Sequence, residues 1–278
     1  MSARFHSTSF VTTDGVRLRV LEAGPDDEDG APAARSPVMA FVPGWSMPGV
    51  IWQPQLAALG TVRRVAALDP RGQGESETPR YGFDIERRAA DVHEFVARYE
   101  RTVLIGWSLG ALEALHCVHR FGDAELEALV LVDSSVGEDP PPVGGSEFIE
   151  ALQRDRRATV ETFVREMFSS PPLASELDAL VQAALRMPLE ASLALFPRGM
   201  PREHWREITR GFSKPLLYVV TQQFSGQARS LLLGRPQTRV EVFEAAGHAL
   251  FVDEPARFNR LLTDFVAGIA SHRAPDLS

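Results

Sequence analysis

The amino-acid sequence predicts an α/β protein with a mostly parallel central sheet and helices on both of its faces. Three observations support this class. Short continuous apolar runs, typical of strands that are covered on both sides, recur along the chain. Patterns typical of helices lie between these runs, as strand–helix–strand units require. A long stretch with helical patterns and no strand pattern interrupts the alternation between residues 136 and 213.

The elements follow in order from these patterns. Residues 8–22 predict two short strands around the turn Thr13-Asp14-Gly15. Helices are predicted near 50–60, 84–99 and 109–121, and a last helix begins at Pro255, because its apolar residues have helical spacing. The remaining predicted strands are Val38–Val42, Val62–Leu68, Val103–Ile105, Leu129–Val132, Leu216–Val220 and Val240–Phe243.

The interruption predicts a division of the chain. Residues 1–135 and 214–278 would form the core domain, and residues 136–213 would form a helical lid inserted after the sixth strand. Asp139-Pro140-Pro141-Pro142 at the start of the insertion has the composition of a hinge.

Composition narrows the possible functions. The chain has 278 residues and a net charge of −8, which argues against nucleic acid or an anionic membrane as a partner. Cys117 is the single cysteine, so an intrachain disulfide and a cysteine-based zinc site are excluded. Lys214 is the single lysine beside 28 arginines, a bias typical of GC-rich bacterial genomes. With no apolar signal segment at the start, we expect a cytoplasmic protein.

The segment Gly106-Trp107-Ser108-Leu109-Gly110 carries the strongest functional signal. It joins an apolar run to a helical pattern, which is the strand–turn–helix context of a nucleophile elbow. Serine is a poor nucleophile at neutral pH, so Ser108 needs a base that accepts its proton.

His248 is the predicted base. It lies in a loop between the last predicted strand and the final helix, and loops that follow parallel strands gather at one edge of the sheet, the edge that also holds Ser108. Glu113, His116 and His119 share a helix face with spacing that could suit a metal, but such a set is more typical of a solvated face.

An oxyanion formed on attack needs two N–H donors. The amide of Leu109 begins the helix after Ser108, where the helix dipole favours negative charge. The second amide is assigned to Trp45, in the loop after the strand Val38–Val42, with Gly44 leaving room for a close approach.

Four motifs together resemble the α/β-hydrolase fold over nearly the whole chain. They are Phe41-Val42-Pro43-Gly44-Trp45, Leu68-Asp69-Pro70-Arg71-Gly72-Gln73-Gly74-Glu75-Ser76, the Ser108 segment, and Ala246-Gly247-His248. Within that fold the chain resembles bacterial carboxylesterases, including the pimeloyl-carrier-protein methyl ester esterases, and the non-haem chloroperoxidases or perhydrolases. The resemblance implies the same roles for Ser108, His248, Trp45 and Leu109. Pro43 stands where these families usually have a structural histidine.

The acid partner of the histidine departs from the family pattern. Relatives usually carry it a few residues beyond the strand Leu216–Val220, where this chain has Thr221-Gln222-Gln223 and no carboxylate. Asp133, directly after the strand Leu129–Val132, is the best substitute. Asp253 is assigned as the N-cap of the last helix, and Asp69 as a residue that shapes its own glycine-rich turn.

These residues predict a serine hydrolase of small to medium apolar acyl or aryl esters that needs no metal or organic cofactor. Trp107, Phe148, Phe163, Phe168 and Phe196 are predicted to line the substrate pocket. The alternatives are a perhydrolase or haloperoxidase-like enzyme, a C–C or amide-bond hydrolase with the same residues, and a non-catalytic ligand-binding relative. The oligomeric state stays open between monomer and homodimer.

Overall fold

The computed structural model describes residues 5–25, 36–142, 145–170 and 172–272. Within these ranges the strands form a single eight-stranded sheet with the order β1-β2-β4-β3-β5-β6-β7-β8. The strands are β1 His6–Val11, β2 Arg17–Ala23, β3 Val38–Val42, β4 Val65–Asp69, β5 Thr102–Trp107, β6 Leu126–Val132, β7 Leu216–Thr221 and β8 Arg239–Phe243.

The sheet is antiparallel at one edge and parallel elsewhere. β1 pairs with β2 and β2 with β4 in antiparallel fashion, whereas the pairs from β4 through β3, β5, β6 and β7 to β8 are parallel. Every residue of β3, β4, β5, β6 and β7 is buried, as the continuous apolar runs predict. The predicted fold class is therefore confirmed.

The strand predicted at Val62–Leu68 begins three residues later. Val62 and Arg63 donate their amides to the Leu59 carbonyl, so they close the turn after the preceding helix. The α-helices in the described residues are α1 Gln53–Leu59, α2 Ile85–Val96, α3 Leu109–Phe121, α4 Gly145–Arg154, α5 Arg156–Glu166, α6 Ala174–Arg186, α7 Leu189–Ala194, α8 Arg202–Gly211, α9 Ser225–Gly234, α10 Leu250–Asp253 and α11 Pro255–His272.

Five of these helices, α4 to α8, lie between β6 and β7. The described residues of that stretch form no strand. Its contacts with the core include the Trp45 indole, which donates to the Ser192 carbonyl at 2.7 Å, and the packing of α8 on α3. The division at residues 136 and 213 stays a prediction.

Candidate active site

Ser108 occupies a strained turn between β5 and α3. Its φ of 55° and ψ of −119° lie outside the regions that most side chains adopt. The turn needs glycine on both sides: a Cβ at Gly106 would lie 2.4 Å from the Gly110 carbonyl oxygen, and a Cβ at Gly110 would lie 2.5 Å from that of Val42. The result is a half-buried Ser108 side chain above the end of the central strand.

Asp133 and His248, 115 residues apart in the sequence, are joined by a short hydrogen bond. The distance from Asp133 Oδ2 to His248 Nδ1 is 2.7 Å. The Asp133 side chain is fully buried, whereas that of His248 is 23 % exposed. Because Nδ1 is engaged with a carboxylate, Nε2 is the ring nitrogen that can accept a proton.

The end of β7 contributes to the same site with its backbone. The Thr221 amide donates to Asp133 Oδ1 at 2.7 Å, so both carboxylate oxygens have a partner. Asp133 itself has a φ of 42°, a conformation that Asp tolerates better than most residues. Burial, together with the charge of Asp133, also raises the pKa of the neighbouring Tyr218 well above its usual value.

Trp107 and Asp253 hold the loop that bears His248. The Trp107 indole donates to the His248 carbonyl at 2.9 Å, and the two rings lie 5.1 Å apart. Asp253 Oδ2 accepts the amides of Gly247 at 2.7 Å and Ser169 at 2.9 Å. The assignment of Asp253 as the N-cap of the last helix is therefore wrong, because its carboxylate turns back toward the histidine loop and the helical insertion.

The loop after β3 lies against Ser108. A Cβ at Gly44 would be 3.1 Å from the Ser108 Cβ and 3.2 Å from the Trp107 ring. Trp45 is 4 % exposed, and Ser46 after it has a φ of 56°. Leu109, the first residue of α3, is also buried. The structure thus brings Gly44, and with it the Trp45 amide, to the Ser108 turn that α3 begins.

Comparison with known proteins decides the family. The model of the alpha/beta hydrolase family matches residues 39–261, a span that includes the Ser108 turn, Asp133 and His248. This chain belongs to that family.

Two further comparisons give relatives of this α/β hydrolase. A pimeloyl-[acyl-carrier protein] methyl ester esterase of Vibrio atlanticus is 29% identical over 264 residues, which cover 84% of this chain and 95% of the relative. An esterase from Exiguobacterium antarcticum superposes with a TM-score of 0.79 at 20% identity, covering 94% of this chain and 99% of the other. A bromoperoxidase from Bacillus anthracis gives 0.77 at 18% identity, covering 94% and 100%. At these identities the two structures show the fold alone.

The predicted pocket residues of the hydrolase divide into two groups. Phe148, Phe163 and Phe196 surround the Trp45 indole with ring-centre distances of 5.3, 5.5 and 5.7 Å. Trp107 packs instead beside His248, and the backbone at Phe168 lies against Gly247, where an added Cβ would be 2.9 Å from it. We call Trp45, Phe148, Phe163 and Phe196 the aromatic cluster.

The solvated face predicted for α3 is confirmed for the exposed His119 and wrong for the other two residues. Glu113 and His116 are 1 % and 2 % exposed. His116 Nε2 lies 2.8 Å from a Glu86 carboxylate oxygen, and Nδ1 lies 3.1 Å from His204 Nε2. Across the described ranges, no group of three or more His, Cys, Asp or Glu side chains has an arrangement that could hold a metal ion.

Two buried polar residues near the site escaped the sequence analysis. Gln73 is fully buried and donates to the carbonyls of Gly44 and Met47, and Arg88 donates to the Gln73 side chain. The signal in the sequence that could have identified Gln73 is its place inside the glycine-rich motif after β4. Asp69, as predicted, shapes its turn, accepting the amides of Gly49 at 2.6 Å and Glu75 at 2.8 Å.

The described helices include none that combines the length and the apolar character needed to span a membrane.

Proposed function

We propose that this protein is a serine esterase that cleaves carboxylic esters of small to medium apolar acyl or aryl groups through an acyl-enzyme. The observation that carries the proposal is the 2.7 Å bond between Asp133 and His248, formed at the same edge of the sheet as the strained Ser108 turn. The named activity of the Vibrio atlanticus relative supports an ester as the substrate.

In acylation, Ser108 Oγ attacks the ester carbonyl carbon and its proton passes to His248 Nε2. Asp133 keeps the proton of His248 on Nδ1 and stabilises the imidazolium that forms. The negative charge on the carbonyl oxygen is held by the amides of Trp45 and Leu109. Collapse of the tetrahedral intermediate breaks the C–O bond, and the alcohol leaves with the proton from His248.

Deacylation repeats these steps with water. His248 Nε2 takes a proton from the water molecule as its oxygen attacks the acyl carbon. The second tetrahedral intermediate releases the carboxylic acid, and the proton returns to Ser108. No metal or organic cofactor takes part in this scheme.

The stretch 136–213 acts as the lid over this site in our proposal. The support is the docking of the aromatic cluster, whose three phenylalanines come from the stretch and whose Trp45 comes from the core. An apolar wall of this kind favours apolar acyl or aryl groups over charged ones. Trp107 and Phe168 would complete the pocket on the His248 side.

A bacterial cytoplasm is the location we propose, with a small-molecule ester as the partner. The relative from Vibrio atlanticus supports a bacterial source.

Cys117 is a buried free thiol, and burial raises its pKa to about 12. Because the thiolate is the reactive form, this cysteine has little reactivity.

The test is intact-mass analysis after treatment with a fluorophosphonate, on the wild type, Ser108→Ala and Asp133→Asn. We expect one rapid addition to the wild type, none to Ser108→Ala and slow addition to Asp133→Asn. A panel of acyl and aryl esters, with and without hydrogen peroxide, then separates hydrolysis from perhydrolysis. An unlabelled wild type that binds esters without turnover would identify a non-catalytic binding protein instead.

A further inference from the structure

The amide of Trp45 belongs to the peptide group that it shares with the Gly44 carbonyl. In a trans peptide the carbonyl and the N–H point in opposite directions, so whatever holds one also aims the other. The Gly44 oxygen accepts two hydrogen bonds, from Gln73 Nε2 at 3.2 Å and from the Met47 amide at 3.2 Å. The direction of the Trp45 N–H is therefore set partly by a side chain from another part of the chain.

Gln73 reaches this peptide group from the turn after β4. Its side chain is fully buried, and Nε2 also donates to the Met47 carbonyl at 2.7 Å. Arg88 Nη1 donates to Gln73 Oε1 at 3.3 Å. A guanidinium only donates, so this contact fixes which end of the amide faces Arg88 and turns the NH₂ group toward the two carbonyls.

Arg88 is held in turn by α3. Arg88 and Glu113 are each 1 % exposed, and Arg88 Nη2 lies 2.8 Å from Glu113 Oε1. Glu113 lies on the helix that begins with Leu109, about one turn after it. A continuous buried path thus runs from the helix that carries one proposed oxyanion amide, through Arg88 and Gln73, to the peptide group that carries the other.

We propose that Gln73, Arg88 and Glu113 are positioning residues that fix the Gly44–Trp45 peptide plane for oxyanion binding, an inference that rests on the proposed function. A buried ion pair and a buried amide are costly to desolvate, and apolar residues would pack there at lower cost. Their benefit is geometric, because a donor must point at the developing charge before the reaction begins.

The experiment compares Gln73→Met with Gln55→Met. Gln55 is also fully buried and donates to a backbone carbonyl, that of Phe251, but it does not touch the Gly44–Trp45 peptide. Misplacing one oxyanion donor is expected to lower kcat about tenfold to a hundredfold for Gln73→Met. KM stays within about twofold, because the ground-state ester does not depend on this donor. Gln55→Met loses stability and keeps kcat.

Binding of an aryl trifluoromethyl ketone adds a second readout. Its adduct with serine places an anionic oxygen where the oxyanion forms, so Gln73→Met should weaken its inhibition by the same factor as kcat. The pH midpoint of kcat/KM, which reports the histidine, should not move. Arg88→Lys, which keeps the charge but loses the planar fork, should show the same pattern to a smaller degree and serves if Gln73→Met does not fold.

The outcomes separate this inference from the proposed function. A wild type that turns over esters beside a folded Gln73→Met with unchanged kcat and inhibition would overturn the positioning role alone. A parallel loss in Gln73→Met and Gln55→Met would also overturn it, since that is the signature of general destabilisation. A wild type that neither labels nor hydrolyses any ester would overturn both.

Discussion

The two sides of Ser108 are built in opposite ways. On the proton-transfer side, His248 is 23 % exposed and its ring is held by one carboxylate. On the oxyanion side, Gln73, Arg88 and Glu113 are each at most 1 % exposed and form a chain of polar contacts. The proposed general base thus keeps access to solvent, whereas the peptide group proposed to bind the oxyanion is fixed by buried contacts.

This difference has a physical reason. A general base exchanges its proton with water between turnovers, so some exposure helps it. An oxyanion donor gains nothing from solvent, because its contribution depends on being preorganised in a dry environment. We therefore expect substitutions on the two sides to differ in size and in kinetic signature, and the following predictions run from the largest effect to the smallest.

Ser108→Ala removes Oγ, the proposed nucleophile, on which both sides of the site act. Comparable serine hydrolases lose about a millionfold in kcat when the nucleophile is removed. We expect ester turnover at the background rate and unchanged folding, since alanine fits the space of serine. Steady-state kinetics on an activated aryl ester measures the loss. Residual turnover above a hundredth of the wild-type rate would show that another residue is the nucleophile.

Asp133→Asn breaks the proton-transfer side. The amide cannot hold the imidazole with its proton on Nδ1, and an error of this kind costs about ten-thousandfold in kcat in a comparable triad. The Thr221 amide can still donate to the side-chain oxygen, so the fold should tolerate the change. The matched variant Asp133→Asn/Gln223→Asp returns a carboxylate to the region after β7. A mild loss in Asp133→Asn would place the acid elsewhere.

Asp253→Asn loosens the loop that bears His248 without touching its ring. Asp253 Oδ2 accepts the amides of Gly247 and Ser169, and Oδ1 accepts that of Ser170 at 3.4 Å, so asparagine turns a donor toward at least one of these amides. We expect a loss of about 1 to 3 kcal/mol in unfolding free energy. We expect less than about a tenfold fall in kcat, since the Asp133 contact remains. Urea unfolding and steady-state kinetics on one preparation test this, and a loss as large as that of Asp133→Asn contradicts it.

The sequence predicted most of the sheet and the edge at which the candidate site residues lie. Continuous apolar runs such as Val38–Val42 are long enough to identify buried strands. The rule that parallel strands share one carboxyl edge led from Ser108 to Asp133 and His248. The role of Asp253 was missed because this residue ends a short helix of its own, α10, which is separated from α11 by one residue.

The buried polar path was beyond prediction for a different reason. Gln73, Arg88 and Glu113 come from a turn and two helices, and each alone is typical of a solvated position. Their burial depends on how α2 and α3 pack together, which sequence patterns do not specify. The same packing buries His116, whose helical spacing resembled that of a surface residue.

The smallest expected effect is on the pH dependence of stability. It arises further along α3 than Glu113, where His116 and His119 contact His204 of α8. Burial, helped by the neighbouring His119 and His116, lowers the pKa of His204. Glu207 and Glu86 oppose the shift, and Glu86 also contacts His116 Nε2 at 2.8 Å. The neutral form of His204 is therefore favoured in the folded protein.

A lowered pKa in the folded state fixes the sign of the pH dependence. Above the unfolded value of about 6.5 His204 is neutral in both states, and stability does not depend on it. As the pH falls below that value the unfolded chain binds the proton first, so stability is lost until the folded pKa is passed. His204→Gln should remove this part of the loss.

We expect the Tm of His204→Gln to fall less than that of the wild type between pH 7.5 and pH 5.5, by about 1 to 3 °C. His6→Gln, at a histidine whose side chain is 69% exposed on the edge strand β1, is the control and should follow the wild type. If Tm depends on pH equally in His204→Gln and the wild type, protonation of His204 does not affect the contact between α3 and α8. A difference confined to His204→Gln would show that charge is costly where α8 packs on α3, as it is for the Arg88–Glu113 pair nearer the proposed active site.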